Sequence, residues 1–360
     1  MALAKLALRI ALSTLIGALT ACQTLAPSTH AGAGQPPTPV TAATATAPAA
    51  PLVGTPPAVS TAPAAAPEMM GPPAPEWLAA LPSAPLEAPA HRVKIALALG
   101  GGAARGFAHV GVIKALEARG IVPDILVGTS VGSFVAALYA SGYDGGHLQR
   151  VAMQFEESTL TDWFLPSRGL FKGQALQDFV NEHVEQRPIE KLPRKLAIVA
   201  TDLHTGQMMV FERGNVGMAV RASSSVPGVF QPVSIGGHEY VDGGLVSPVP
   251  VRTARRLGAD VVIAVDISKK PASQSTTGAF DILLQTFTIM GQAIAHTELG
   301  EADIVLQPAL DTIGSTDFSA RESSILEGEQ AVAAQADSIL AVLARAQQSM
   351  AAAIVPPIGP

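Results

Sequence analysis

The chain predicts an α/β fold, a three-layer α/β/α arrangement around a mainly parallel sheet, and three observations predict it. Short runs such as Val93–Leu99 and Val261–Ile267 are apolar throughout, the signature of strands covered on both faces. They alternate with helix-period segments, the order of βαβ units. Glycines gather where a strand hands over to a helix, at Gly100–Gly106 and Gly128–Gly132.

The elements follow in order. Val93–Leu99 is the first strand, and the loop Gly100-Gly101-Gly102-Ala103-Ala104-Arg105-Gly106 comes after it. Phe107–Arg119 reads as a helix closed by Gly120, and Asp124–Val127 as the next strand. Val131, Phe134, Val135, Leu138 and Tyr139 then recur at helical spacing, and Ser141-Gly142 supplies a stop. Later strands are expected at Leu196–Thr201, Gln207–Phe211, the approach to Val241, Val261–Ile267 and Asp303–Leu306. Helices are expected at Gly173–His183, Val216–Ser224, Val249–Leu257, Phe280–Leu299 and Ser323–Gln347. The folded domain is expected to span 91–350, with a disordered tail over 351–360.

Composition narrows the function. Of 360 residues, 48% are hydrophobic and 14% charged, enough apolar material for a sizeable core. The net charge is −6, no basic block occurs and aromatics are 4%, which argues against nucleic acid as a partner. The single cysteine, Cys22, excludes an intramolecular disulfide. Lys5 and Arg9 precede an apolar run, Ile10–Leu19, too short to span a bilayer but suited to a secretory signal over residues 1–21. It ends in Leu19-Thr20-Ala21-Cys22, which resembles a bacterial lipobox. That resemblance implies diacylation of Cys22, and Gln23 rather than Asp after it implies the outer membrane. Residues 23–90 hold 16 of the 29 prolines and no Lys or Arg. Such composition supports no packed core and reads as a tether from the lipidated cysteine. Trp77-Leu78-Ala79-Ala80-Leu81 is its exception and reads either as a short helix packing on the domain or as a surface hydrophobe in the tether.

The residues that carry chemistry start with Gly128-Thr129-Ser130-Val131-Gly132. A serine between glycines at a strand-to-helix turn is a nucleophile elbow, with the new helix dipole favouring negative charge at the hydroxyl. The glycine loop is a candidate oxyanion nest, with Arg105 adding positive charge nearby. It does not read as a dinucleotide loop, because Arg105 stands where the third glycine belongs. The base is less obvious. His147, His183, His204, His238 and His296 lie downstream of Ser130, and none follows a strand in the manner of a triad histidine. His109 lies just after the glycine loop and reads as a helix residue. Asp242, in Tyr240-Val241-Asp242-Gly243-Gly244, ends a strand-like run. It is either a base raised by burial or an ordinary Asp-Gly turn.

Taken together, the glycine loop with Arg105, the Gly128–Gly132 elbow and Asp242-Gly243-Gly244 resemble the patatin-like phospholipases. The likeness extends through Arg221-Ala222-Ser223-Ser224-Ser225-Val226-Pro227-Gly228-Val229-Phe230-Gln231-Pro232 and Val246-Ser247-Pro248-Val249-Pro250. It implies a Ser–Asp dyad without histidine: Ser130 as nucleophile, Asp242 as base, and backbone N–H groups of Gly100, Gly101, Gly102, Ala103, Ala104, Arg105 and Gly106 as the oxyanion hole. It implies hydrolysis of acyl esters in lipids, as phospholipase A, lysophospholipase or esterase, with no metal and no cofactor. Ala103 departs from the family's more frequent glycine, and Gly244 from its more frequent alanine.

Two further segments carry expectations. Trp163-Phe164-Leu165-Pro166 with Leu170-Phe171 reads as a buried cap or a lid. In the helix Phe280–Leu299, Ile282, Leu283, Phe287, Ile289, Met290 and Ile294 read as core packing, with an acyl-pocket wall as the alternative. Two rival functions stay open: an esterase using Ser130, Asp266 and His296, and a non-catalytic envelope protein on the same scaffold.

Overall fold

The computed structural model describes residues 92–155, 171–268, 277–314 and 316–354. The signal-like segment, Cys22, the proline-rich stretch and Trp163-Phe164-Leu165-Pro166 lie outside them.

The expected parallel strands form the centre of one sheet. β1 (Ile95–Leu99), β2 (Ile125–Thr129), β3 (Lys195–Asp202), β4 (Met208–Phe211), β5 (Val233–Ile235), β6 (His238–Asp242), β7 (Val261–Val265) and β8 (Ile304–Leu306) take the order β5-β6-β3-β2-β1-β7-β8, with β4 also paired to β3. The pairs β3–β2, β2–β1, β1–β7 and β7–β8 are parallel, and β6, β5 and β4 add an antiparallel edge. Alternation decides the layers. Leu97, Leu99, Leu126, Ile198, Ile263 and Val265 face one core, while Ala96, Ala98, Val127, Val199, Val262 and Ala264 face the other.

On the first face pack α1 (Phe107–Glu117), α2 (Val131–Ala140), α3 (Gly145–Gln154), α4 (Gln174–His183) and α5 (Val216–Ser223), through residues such as Ile113, Leu138, Leu148, Val180 and Val220. Val251 and Ala254 of α6 (Val251–Arg256) and Ala295 of α7 (Ala279–Leu299) cover the second, alanine-rich face. Two further helices, α8 (Arg321–Ala334) and α9 (Ala336–Ile354), return to the first face through Ile325, Val332 and Ile339. Helices therefore cover both sides of a mostly parallel sheet, as the sequence predicts.

The crossing of α1 and α8 is unusually close. A Cβ on Gly111 would lie 1.9 Å from the Ile325 carbonyl oxygen, and one on Gly328 would lie 2.0 Å from that of Ala108. The two glycines let backbone meet backbone, and a Lys114–Glu329 ion pair joins the same helices. This crossing presses α1, the helix that follows the glycine loop, into place.

Several expectations need correction. Ser323–Gln347 is not one helix: it breaks at Gln335, whose side-chain amide donates to Val305 O of β8 at 2.6 Å. α9 continues to Ile354, past residue 350 where a tail was expected. On α7, Ile282 is 54% exposed and Met290 51%, and Leu283 and Ile289 are exposed too, so that face is not core.

Candidate active site

Ser130 sits between β2 and α2 with φ 54° and ψ −128°, a conformation that costs an L-residue energy and needs outside support. The support is local and dense. Ser133 N–H and Ser133 Oγ both donate to Ser130 O, at 2.9 and 2.6 Å, and Ser130 N–H donates to Ser223 Oγ at 2.8 Å. The flanking glycines are required by proximity rather than by positive φ. A Cβ on Gly128 would lie 2.4 Å from Ser133 Cα, and one on Gly132 would lie 2.1 Å from Leu99 O. The elbow is thus wedged against its own helix and against the end of β1.

Asp242 ends β6, and the register brings it level with the elbow. Val199 of β3 pairs with Thr129 on one side, and the next residue, Ala200, pairs with Asp242 on the other. Ser130 Oγ donates to Asp242 Oδ2 at 2.7 Å. The other carboxylate oxygen accepts from Gly244 N–H at 2.7 Å, and Thr201 Oγ1 donates to the Asp242 carbonyl at 2.8 Å. The side chain is buried, at 7% exposure, with those two donors on its carboxylate. Burial pushes its pKa up to about 6, against the opposing pull of Gly244 N–H and the Ser130 hydroxyl. Asp242 is therefore more than a turn residue. Its carboxylate is short of donors, which makes it a stronger base.

The glycine loop runs beside Ser130: a Cβ on Gly101 would lie 3.2 Å from that of Ser130. Three of its N–H groups are already engaged. Gly100 donates to Val265 O and Gly101 to Pro248 O, each at 3.0 Å, and Arg105 donates to Gly102 O at 3.3 Å. These bonds moor the loop and take Gly100, Gly101 and Arg105 out of the broad donor set expected from the sequence, leaving Gly102, Ala103, Ala104 and Gly106. Ala103 adopts φ 52°, the left-handed region that glycine tolerates better. Arg105 is buried, and burial lowers its pKa to about 10 while Asp266 and Asp311 raise it.

No histidine among the described residues bonds the Ser130 hydroxyl. His109 Nε2 lies 2.8 Å from Gly100 O, and burial lowers its pKa to about 4, so the neutral ring donates to the loop carbonyl. His147 stacks on Tyr143 and His183 on Phe179; His204 pairs with Glu239 and His238 with Asp202. His296 is exposed, and Asp266 accepts from Ser268 N and Gln307 Nε2. The rival Ser130–Asp266–His296 arrangement is not assembled.

Ser130 opens into a cavity of about 480 Å³. Its walls are apolar almost throughout, among them Phe134, Leu138, Leu148, Phe155, Phe171 and Phe230, and Leu284 of α7 contributes to them. Phe171, expected in a cap or lid, packs on Phe230 at 5.7 Å between ring centres. Ser223 is the participant that sequence reasoning passed over. It lies within Arg221–Pro232, but only the fold shows which of three consecutive serines reaches the elbow.

Residues 97–255 match the family described as patatin-like phospholipase. The chain is 36% identical over 181 residues to an uncharacterized NTE family protein of Mycobacterium tuberculosis, a match covering 50% of each chain. It is 35% identical over 191 residues to human patatin-like phospholipase domain-containing protein 6, covering 51% of this chain and 14% of that one. The match therefore spans half the length of the mycobacterial relative and a small part of the human one. Among solved structures, VipD from Legionella pneumophila superposes with a TM-score of 0.40 at 12% identity, over 71% of this chain and 67% of that one.

Proposed function

This chain belongs to the patatin-like phospholipase family, and on that premise we propose that it is a serine acyl hydrolase acting on lipid esters through Ser130 and Asp242. The observation that carries the reading is the 2.7 Å bond from Ser130 Oγ to a buried carboxylate, at the wall of an apolar cavity. Asp242 takes the hydroxyl proton as Ser130 attacks the ester carbonyl. N–H groups from the remaining set, Gly102, Ala103, Ala104 and Gly106, receive the oxyanion, aided by the α2 dipole. Asp242 returns the proton to the leaving alkoxide, and an acyl-enzyme remains. Water then gives its proton to Asp242 and attacks the acyl carbonyl. The fatty acid leaves, and the proton goes back to Ser130.

The cavity favours an acyl chain, since each methylene moved out of water gains about 0.8 kcal/mol. Leu284 faces that cavity while Ile282 and Leu283 beside it are exposed, which suits a substrate drawn from a lipid aggregate. In the same reading residues 1–21 are removed, Cys22 is acylated, and residues 23–90 tether the domain to the envelope, at the outer membrane.

The test is a panel of phospholipid, lysophospholipid, neutral ester and thioester substrates given to the wild type and to Ser130→Ala. Fatty acid release from at least one class, abolished in the variant, is expected. Release from none would overturn the reading and favour a non-catalytic envelope protein, and equal release by both proteins would overturn Ser130 as the nucleophile.

A further inference from the structure

We propose that Ser223 is a positioning residue for acyl transfer, its hydroxyl setting the separation of Ser130 from Asp242. The inference rests on the reading of those two residues as nucleophile and base. It starts from proton counting. A serine hydroxyl has one proton to donate and lone pairs to accept. Val199 O can only accept, so Ser223 Oγ donates to it, at 2.5 Å. Its lone pair then faces the Ser130 N–H at 2.8 Å. Both roles are filled, and the side chain is fully buried.

The two bonds join the parts that must stay in register. Val199 lies on β3, whose next residue, Ala200, pairs with Asp242, and Thr201 of the same strand bonds the Asp242 carbonyl. β3 thus serves as a ruler with the base fixed to it. Val199 also pairs with Thr129, but that ladder ends at Thr129. Beyond it, Ser130 turns into its strained conformation, and its N–H faces α5 rather than the sheet. Ser223 bridges this gap from nucleophile back to ruler. The neighbouring serines do not: Ser225 Oγ donates to Arg221 O at 2.8 Å, and Ser224 Oγ has no partner among the described residues.

Without the hydroxyl, Ser130 N–H loses its link to β3; Ser133 still holds the Ser130 carbonyl, but the Ser130 Oγ can shift from Asp242. A displacement of about 1 Å at a reacting group lowers rate by up to about 100-fold. Substrate binding in the cavity does not involve Ser223, so KM should hold.

The experiment measures kcat and KM of the full chain on a short-chain p-nitrophenyl ester, with thermal unfolding followed in parallel. Ser223→Ala is expected to lower kcat by about 10- to 100-fold with KM within about two-fold. Ser223→Thr, which keeps the hydroxyl, is expected to recover most of kcat. A Ser223→Ala enzyme at wild-type kcat overturns the proposal. So does a Thr variant that folds and is as slow as Ala, because the hydroxyl is then not the active feature. If Ala does not fold, Ser223→Cys takes its place. Cys slower than Thr by about ten-fold supports the proposal, and equal rates overturn it. Ser130→Ala run alongside separates the two failures: if it turns over normally, the nucleophile assignment falls, whatever Ser223 does.

Discussion

At the scale of single residues, the site turns on a carboxylate that burial leaves under-solvated. Its pKa of about 6 lies above the usual carboxylate value of 3.8, so the native state holds a proton that the unfolded chain has released between those pH values. Stability attributable to this group is therefore full below about pH 4 and falls as pH rises to about 6. Asp242→Asn keeps the shape without the charge: its Oδ1 still accepts from Gly244 N–H, and its Nδ2 donates to Ser130 Oγ where the carboxylate accepted. It is expected to unfold about 2–3 kcal/mol later than wild type at pH 8 and to match it near pH 4, read from denaturant melts at both pH values. Ala103 offers a second residue-scale check. At φ 52° it is strained, so Ala103→Gly should raise stability by about 0.5–1 kcal/mol in the same melts and keep acyl turnover. Ser130 stands out in the chain because its glycine setting marks it locally, whereas the glycines after Asp242 fit a turn as well as a base and only the family resemblance singles it out. Ser223 does not stand out, since its partner lies 93 residues away and nothing in Ser223-Ser224-Ser225 tells the three hydroxyls apart.

At the scale of elements, periodicity located strands well because both faces of the sheet are covered and each run is apolar throughout. It failed where a tertiary bond overrides a continuous helical pattern. Gln335 breaks the long C-terminal helix with neither glycine nor proline, by an amide bond to β8 that no local signal announces. It failed also on α7, where apolar spacing suggested core but Ile282, Leu283, Ile289 and Met290 face outward. The α1–α8 crossing yields a prediction of its own. Gly328→Ala puts a methyl 2.0 Å from the Ala108 carbonyl oxygen, and neither backbone can yield without parting the helices. A loss of about 2–3 kcal/mol or more is expected in denaturant melts. The glycine loop at the head of α1 should loosen with it, lowering kcat more than KM rises.

At the scale of the whole molecule, the sheet brings to one end of its parallel strands three features that lie far apart in the chain: the loop after β1, the elbow after β2 and the acid at the end of β6. No described helix is long and apolar enough to cross a membrane. In the proposed attachment through Cys22, Cys22→Ser should release the protein from the membrane fraction of cells and abolish incorporation of labelled palmitate. In the proposed mechanism one carboxylate, with no imidazole between, deprotonates the nucleophile. The most direct measurement is the rate at which a fluorophosphonate probe modifies the wild type, Ser130→Ala and Asp242→Asn across pH 4 to 9. A single rise with midpoint near pH 6 is expected for the wild type, with no labelling of Ser130→Ala and a loss of about 10²–10⁴-fold in Asp242→Asn. A wild-type rate in Asp242→Asn, or equal labelling of Ser130→Ala, would contradict it.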